Sequence, residues 1–288
     1  MHPAKSIMAF TSLSGLGFGL MAVIGLGYPD VAGWVALVYG ALALGLAGIG
    51  LLASLLHLGN PQRFLKAFTQ WRTSWLSREA VLSVLTMALF ALYIVLLLTD
   101  KRLILLGYIV STLAALTVIC TAMIYAQLRT IPRWNTWLTP ILFLAYALAG
   151  GALLAGQIWA AVFGTVVVLA LQIAHWARGR AALARSGSNA GTATALGGLG
   201  TVRMLESPHT ARNYVTSEMV NHLAATTAKK LKLVVIVLLV GQGLALATLP
   251  IGHVMAGGMV VLHLAAVLVA RWLFFAESEH VVRLYYKD

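Results

Sequence analysis

The sequence predicts an all-α, polytopic membrane protein with about eight transmembrane helices in two four-helix bundles. Three observations lead there. The 288 residues are 60% hydrophobic and only 10% charged, against about 25% charged in soluble domains. Apolar runs of roughly 18 residues or more recur along the chain, each long enough to cross a bilayer. The basic residues gather in alternate loops, the signature of a chain that threads a membrane repeatedly.

The expected spans are 6–28, 33–57, 78–99, 103–126, 138–156, 158–177, 232–250 and 253–274. The first begins after a lysine but runs beyond a signal-peptide core and ends in GYPD, with no small-residue cleavage pattern. It reads as a retained helix. Gly15 and Gly19 give that helix a small-xxx-small face for close packing. Ser77 is positioned to cap the third span, placing Glu79 in its first turn, where an acid suits the helix dipole. Pro140 lies near a helix start, and Ala147, Gly151 and Ala155 suit a short, closely packed helix. Only Gly156 and Gln157 divide that helix from the next. Residues 1–128 are expected to form the first bundle. Residues 129–288 form the second, which includes a long loop at about 178–232.

Of the 20 Lys and Arg, 18 fall on one side of this topology, Arg271 among them, and only Lys101 and Arg102 on the other. The positive-inside rule then places both termini and the 55–79 segment in the cytoplasm of a bacterial inner membrane. The same rule accounts for the net charge of +12 without nucleic acid, for which no motif is present. In the 178–232 loop, the GGLG tract lacks a preceding strand and a following GKS/T, so it is not a phosphate loop. The loop suits contact with a bound cytoplasmic subunit. The single cysteine, Cys120, lies inside an apolar run, so the chain offers no disulfide and no Cys-ligated cluster.

The polar chemistry concentrates in LLHLGNPQRFLKAFTQWRTSWLSRE, residues 55–79. His57 stands where the second span meets the helix breakers Gly59, Asn60 and Pro61. It either caps its own helix or offers a hydrogen bond and an exchangeable proton to a ligand. Glu79 is one of eight acids in the chain, and a carboxylate at a membrane rim is a candidate proton relay. Arg63, Lys66, Arg72 and Arg78 read as positive-inside residues. Trp71 and Trp75 read as an aromatic belt, whose members also line the mouths of sites for lipid-like ligands.

A b-type haem needs two imidazoles from different helices at similar depth. His263 is mid-span, His253 is at the opposite, outer end of the same helix, and His175 is near the inner end of the sixth span. No mid-depth partner pairs with His263, so no haem is expected. A hydrogen bond from His263 to a helix carbonyl is the expected role.

The chain resembles the dimethyl sulfoxide reductase membrane-anchor family over nearly its whole length. The resemblance is carried by LLHLGNPQRF at 55–64, LSRE at 76–79 and YAQLRTIPRWNTWLTP at 125–140. The ending RWLFFAESEHVVRLYY and the loop GLGTVRMLESPHTARNY resemble anchors of quinone-dependent, cytoplasmic sulfite dehydrogenases. The resemblance implies a complex with a molybdopterin catalytic subunit and an iron–sulfur subunit that passes electrons to a quinone bound by the anchor. It implies that His57 and Glu79 bind quinone, ubiquinone or menaquinone, and that the anchor carries no haem. Arg63 and Arg78 are then expected to tune Glu79 or contact the partner, and Trp71 and Trp75 to flank the headgroup. The N-terminus-inside orientation favours sulfite over dimethyl sulfoxide.

Three other readings compete. One is an anchor for a dimethyl sulfoxide or polysulfide reductase driven by quinol. Another is a purely structural anchor, with quinone held by partner residues. The third, of a different class, is a small-solute transporter; that class carries mid-depth polar residues and internal repeats, whereas the polar groups here crowd one face.

Overall fold

A computed structural model describes residues 3–56, 60–203, 205, 206, 211, 213, 215, 219 and 223–285. All regular structure among the described residues is helical. Eight long helices cover the expected spans: α1 (Lys5–Gly25), α2 (Gly33–Leu55), α3 (Trp75–Leu98), α4 (Ile104–Ala126), α5 (Leu138–Leu154), α6 (Ile158–Gly179), α9 (Ala225–Thr248) and α10 (His253–Ala276). Two short helices, α7 (Ala182–Arg185) and α8 (Ala190–Thr194), lie between α6 and α9. Seven of the long helices have the length and apolarity to cross a membrane. The eighth, α5, is 17 residues long and apolar.

Local chemistry sets the breaks between spans. Between α5 and α6, Gly156 takes φ +68°, a region open to glycine at no steric penalty. The amide of Gly156 donates to the Leu153 carbonyl and that of Gln157 to the Ala152 carbonyl, which closes α5 in a Schellman turn. Before α3 the cap differs from the expected one. Ser74, not Ser77, is the extended N-cap, its hydroxyl accepting from the Ser77 amide at 3.5 Å. The helix starts one turn early because Trp75 and Leu76 already continue the apolar face. Glu79 therefore leaves the first turn and cannot serve the helix dipole from there.

Helices α1 to α4 pack in a closed ring, α1 on α2, α2 on α3, α3 on α4 and α4 on α1. Helices α5, α6, α9 and α10 close a second ring in the same way. The rings meet where α1 packs on α5 and α10 and where α4 packs on α5. At the α1–α5 contact Gly19 faces Ala147 and Gly151, and a Cβ on Gly19 would collide with the Ala147 carbonyl. Helices approach this closely only through small residues, as membrane helices do. The main apolar core runs across the boundary, from Phe18, Leu20 and Phe90 through Phe143 to Phe274 and Phe275.

The connection between rings, residues 127–137, is fixed by side chains. The Trp134 indole stacks on Phe274 at 5.2 Å and donates to its carbonyl at 2.9 Å. Tyr125 meets Trp134, Phe143, Phe274 and Phe275. Asn135 donates to the Ala126 carbonyl at 2.6 Å. Glu277, just beyond α10, accepts from both Arg133 and Lys232 at 2.5 Å. The YAQLRTIPRWNTWLTP and RWLFFAESEH stretches are thus one packed unit at the basic end of the molecule. Burial holds the Arg133 guanidinium below its ordinary range, and the charge of Glu277 opposes that shift.

Candidate functional site

Glu79 sits four residues into α3, about 6 Å along the helix axis from its start. It is 4% exposed, and its side chain faces α4. There the Thr121 hydroxyl donates to Glu79 Oε1. Thr117, one turn along α4, exchanges a hydrogen bond with Thr86 of α3 at 3.2 Å. A short ladder of buried polar groups thus joins the two helices. No lysine or arginine among the described residues forms an ion pair with Glu79. A buried carboxylate without a cation is costly in its charged form. A carboxyl held this way is suited to carrying a proton.

The other sequence-predicted residues divide around it. Trp71, Trp75 and Arg78 come together at the rim. The Arg78 guanidinium lies 4.3 Å from the Trp75 ring centre and donates to the carbonyls of Trp71 at 3.0 Å and Arg72 at 2.7 Å. It braces the turn that leads into α3 and makes no ion pair with Glu79. Trp71 is exposed and carries Arg72 over its ring at 5.4 Å. Arg63 is exposed on a 3-10 helix, Pro61–Phe68, that packs against α3. His57 lies outside the described residues.

A second group of buried polar residues was not anticipated in this role. Arg271, counted in the sequence with the basic loop residues, is 4% exposed and sits within α10 where the two rings meet. Its guanidinium carbon lies 3.3 Å from the Phe143 ring centre, and its Nε has no hydrogen-bond partner. A desolvated cation–π contact contributes about 2 kcal/mol, while burying an unpaired charge costs several kcal/mol. The ring alone does not balance Arg271, so its remaining donors need water.

A cavity of about 10 Å³, the room one water needs, adjoins Arg271 and is also lined by Thr11, Ser12, Ser14, Thr121 and Tyr146. Ser12 Oγ is likewise buried and unpartnered. Nearby, Tyr146 donates to Gln172 Oε1 at 3.0 Å, and His175 is 3% exposed with neither ring nitrogen partnered. The signal available in the sequence was the presence of Gln172, His175 and Arg271 inside otherwise apolar runs. His263 meets the backbone of Tyr146 in α5, in line with the expected helix-carbonyl partner, and its Nδ1 also lies 3.5 Å from Nε2 of Gln242. Gln242 in turn donates to Thr165 at 3.3 Å.

The model for the DMSO reductase anchor subunit (DmsC) matches residues 2–277. The chain belongs to the DmsC family. The DmsC assignment makes it a membrane anchor subunit, a class that works in a complex with catalytic and electron-transfer subunits. Among DmsC-like proteins it is 32% identical to the C subunit of the sulfite dehydrogenase of Allochromatium vinosum, in an alignment covering all of this chain and 99% of that protein. No solved structure matches it.

Proposed function

We propose that this anchor binds quinone at the rim of the first ring and passes it electrons from an iron–sulfur subunit during sulfite oxidation by a molybdopterin subunit. The observation that carries this reading is Glu79, a carboxyl buried one turn beneath the rim with a threonine donor and no cation. Reducing a quinone consumes two electrons and two protons at its oxygens. The electrons would come from the partner's reduced cluster, and the protons need a group that is sheltered yet able to exchange. Glu79 suits proton delivery, while His57 would hydrogen-bond a carbonyl oxygen. Arg78 holds Trp71 and Trp75 in a rigid rim, whose rings would flank the headgroup. Arg63, exposed beside them, would face the partner subunit.

The similarity to a sulfite dehydrogenase anchor supports sulfite as the reductant of the complex, with electrons flowing toward quinone. The charge segregation supports a bacterial inner membrane with both termini, and therefore the docked subunits, in the cytoplasm. The test is sulfite-driven reduction of decylubiquinone by the complex purified through the tagged chain. His57→Ala and Glu79→Gln should each cut turnover by about 100-fold or more, the scale of a lost acid–base group, with all subunits still co-purifying. Full turnover in both variants would move the quinone site elsewhere.

A further inference from the structure

Three cavities adjoin one another between the basic surface and the Thr121–Glu79 pair. The outermost, about 480 Å³, is lined by Arg129, Arg133, Asn135, His175, Arg178 and Arg185. Arg129, Asn135, Arg178 and Arg185 are exposed, so this cavity opens at the surface. The middle one, about 10 Å³, shares Arg133 and His175 with it and adds Gln172 and Glu277. The innermost, also about 10 Å³, shares Tyr146 and Arg271 with the middle one and reaches Thr121. Each small cavity has room for about one water. Residues that line them carry the unpartnered buried atoms of the region: both nitrogens of His175, Nε of Arg271 and Oγ of Ser12. An apolar void stays dry, whereas a cavity bordered by unsatisfied donors and acceptors takes up water.

We propose that these cavities form a water-lined proton path from the basic face to Glu79, with His175, Tyr146 and Thr121 as relays. The proposal rests on the reading of Glu79 as the proton donor to quinone. A proton arriving from the outer cavity adds to one nitrogen of His175 while the other nitrogen releases its own to the middle cavity. From there Tyr146, which lines both small cavities, accepts a proton from the middle water on its hydroxyl oxygen as the hydroxyl, turned from Gln172 Oε1 toward the innermost water, releases its own proton to that water. That water gives a proton to Thr121 Oγ1 as the threonine's own hydroxyl proton moves to Glu79 Oε1. One proton enters and one is delivered, and each relay returns to its starting composition once its hydroxyl or ring reorients. Arg271 does not transfer a proton. It orients the waters on its two sides. The electrons for that reduction come from the partner's iron–sulfur cluster.

The experiment follows the Glu79 carboxyl directly, by infrared spectroscopy of the complex purified through the tagged chain. Its band is identified by its loss in Glu79→Gln, and its shift is timed after transfer to deuterium oxide. Tyr146→Phe and His175→Leu interrupt the relay, and Gly15→Leu fills the innermost cavity, which Gly15 lines with open space beside it. Each should slow deuteration of Glu79 by about tenfold or more and slow sulfite-driven decylubiquinone reduction with it, leaving KM for the quinone unchanged. Tyr146→Phe removes one oxygen and keeps the ring, so it reports even if Gly15→Leu fails to fold. Deuteration at the native rate in Tyr146→Phe and His175→Leu overturns the path, and a Glu79→Gln enzyme that is nonetheless inactive leaves the quinone reading standing. Slowed deuteration together with full turnover in Glu79→Gln supports the path and overturns the quinone reading.

Discussion

Thr121 of α4 gives its hydroxyl hydrogen to Glu79 of α3, across an interface where both residues are at least 95% buried. This bond joins a membrane-rim carboxyl to the interior of the helix ring. Replacing Thr121 by valine keeps the shape and removes the donor, leaving a buried acceptor unpaired. Such a loss costs about 1–3 kcal/mol. Thr121→Val should therefore lower the melting temperature of the detergent-solubilised chain, while Thr121→Ser should restore most of it. Circular dichroism followed on heating measures both.

The α1–α5 contact depends on the absence of a side chain at Gly19. A methyl there meets the Ala147 backbone, which cannot move aside as a flexible side chain can. Overpacking of this kind costs about 1–3 kcal/mol. Gly19→Ala should reduce stability or membrane accumulation, while Gly15→Ala, with nothing within 4 Å of the added carbon, should be tolerated. Comparable behaviour of the two variants would rule out this packing.

Glu277 holds two cations, Arg133 and Lys232, and all three side chains are 20% exposed or less. Removing the acid leaves both charges without their partner, and breaking a buried pair in this way costs about 3–5 kcal/mol. Glu277→Ala should loosen the basic end, seen as faster protease cleavage within 178–232. Arg133→Lys should be milder, since one amine can still reach the carboxylate but loses the fork geometry. Equal cleavage rates in native and Glu277→Ala protein would contradict the bridge.

The proposed orientation can be read by labelling. In a Cys120→Ser background, Ser188→Cys should react with an impermeant maleimide only after the inner membrane is opened. Asp100→Cys should react in spheroplasts without opening. The reverse pattern would invert the topology and place the docked subunits outside the cytoplasm.

Much of the fold was legible because bilayer thickness imposes a length on every span, and charge segregation imposes a direction. Even the narrow break at Gly156 was readable, since glycine and glutamine interrupt an otherwise continuous apolar stretch. The start of α3 was less accessible: Ser74 and Ser77 are both competent caps, and Trp75 and Leu76 extend the helix by a turn that composition alone does not assign. That turn decides what Glu79 does, because it moves the carboxyl from the helix start to the α4 interface. Arg271 was misplaced for a related reason. Positive residues near a span end usually belong to the surface, and only the crossing of α10 with α1 and α5 shows this one enclosed. Pairings such as Thr121 with Glu79 depend on which helices become neighbours, and local periodicity does not carry that information.

The stack of Trp134 on Phe274 joins groups 140 residues apart in the chain. As the protein is synthesised and inserted, Trp134 is made well before the helix that supplies its partner. Its indole nitrogen has nothing to donate to in the finished arrangement until the last span is in place. The crossover between the rings is therefore locked last, and ribosomes that stop short of residue 274 yield a chain whose basic end is unfinished. Since the other proteins of the complex must recognise a formed surface, completion of this stack offers a natural checkpoint between biogenesis of the anchor and assembly of the complex.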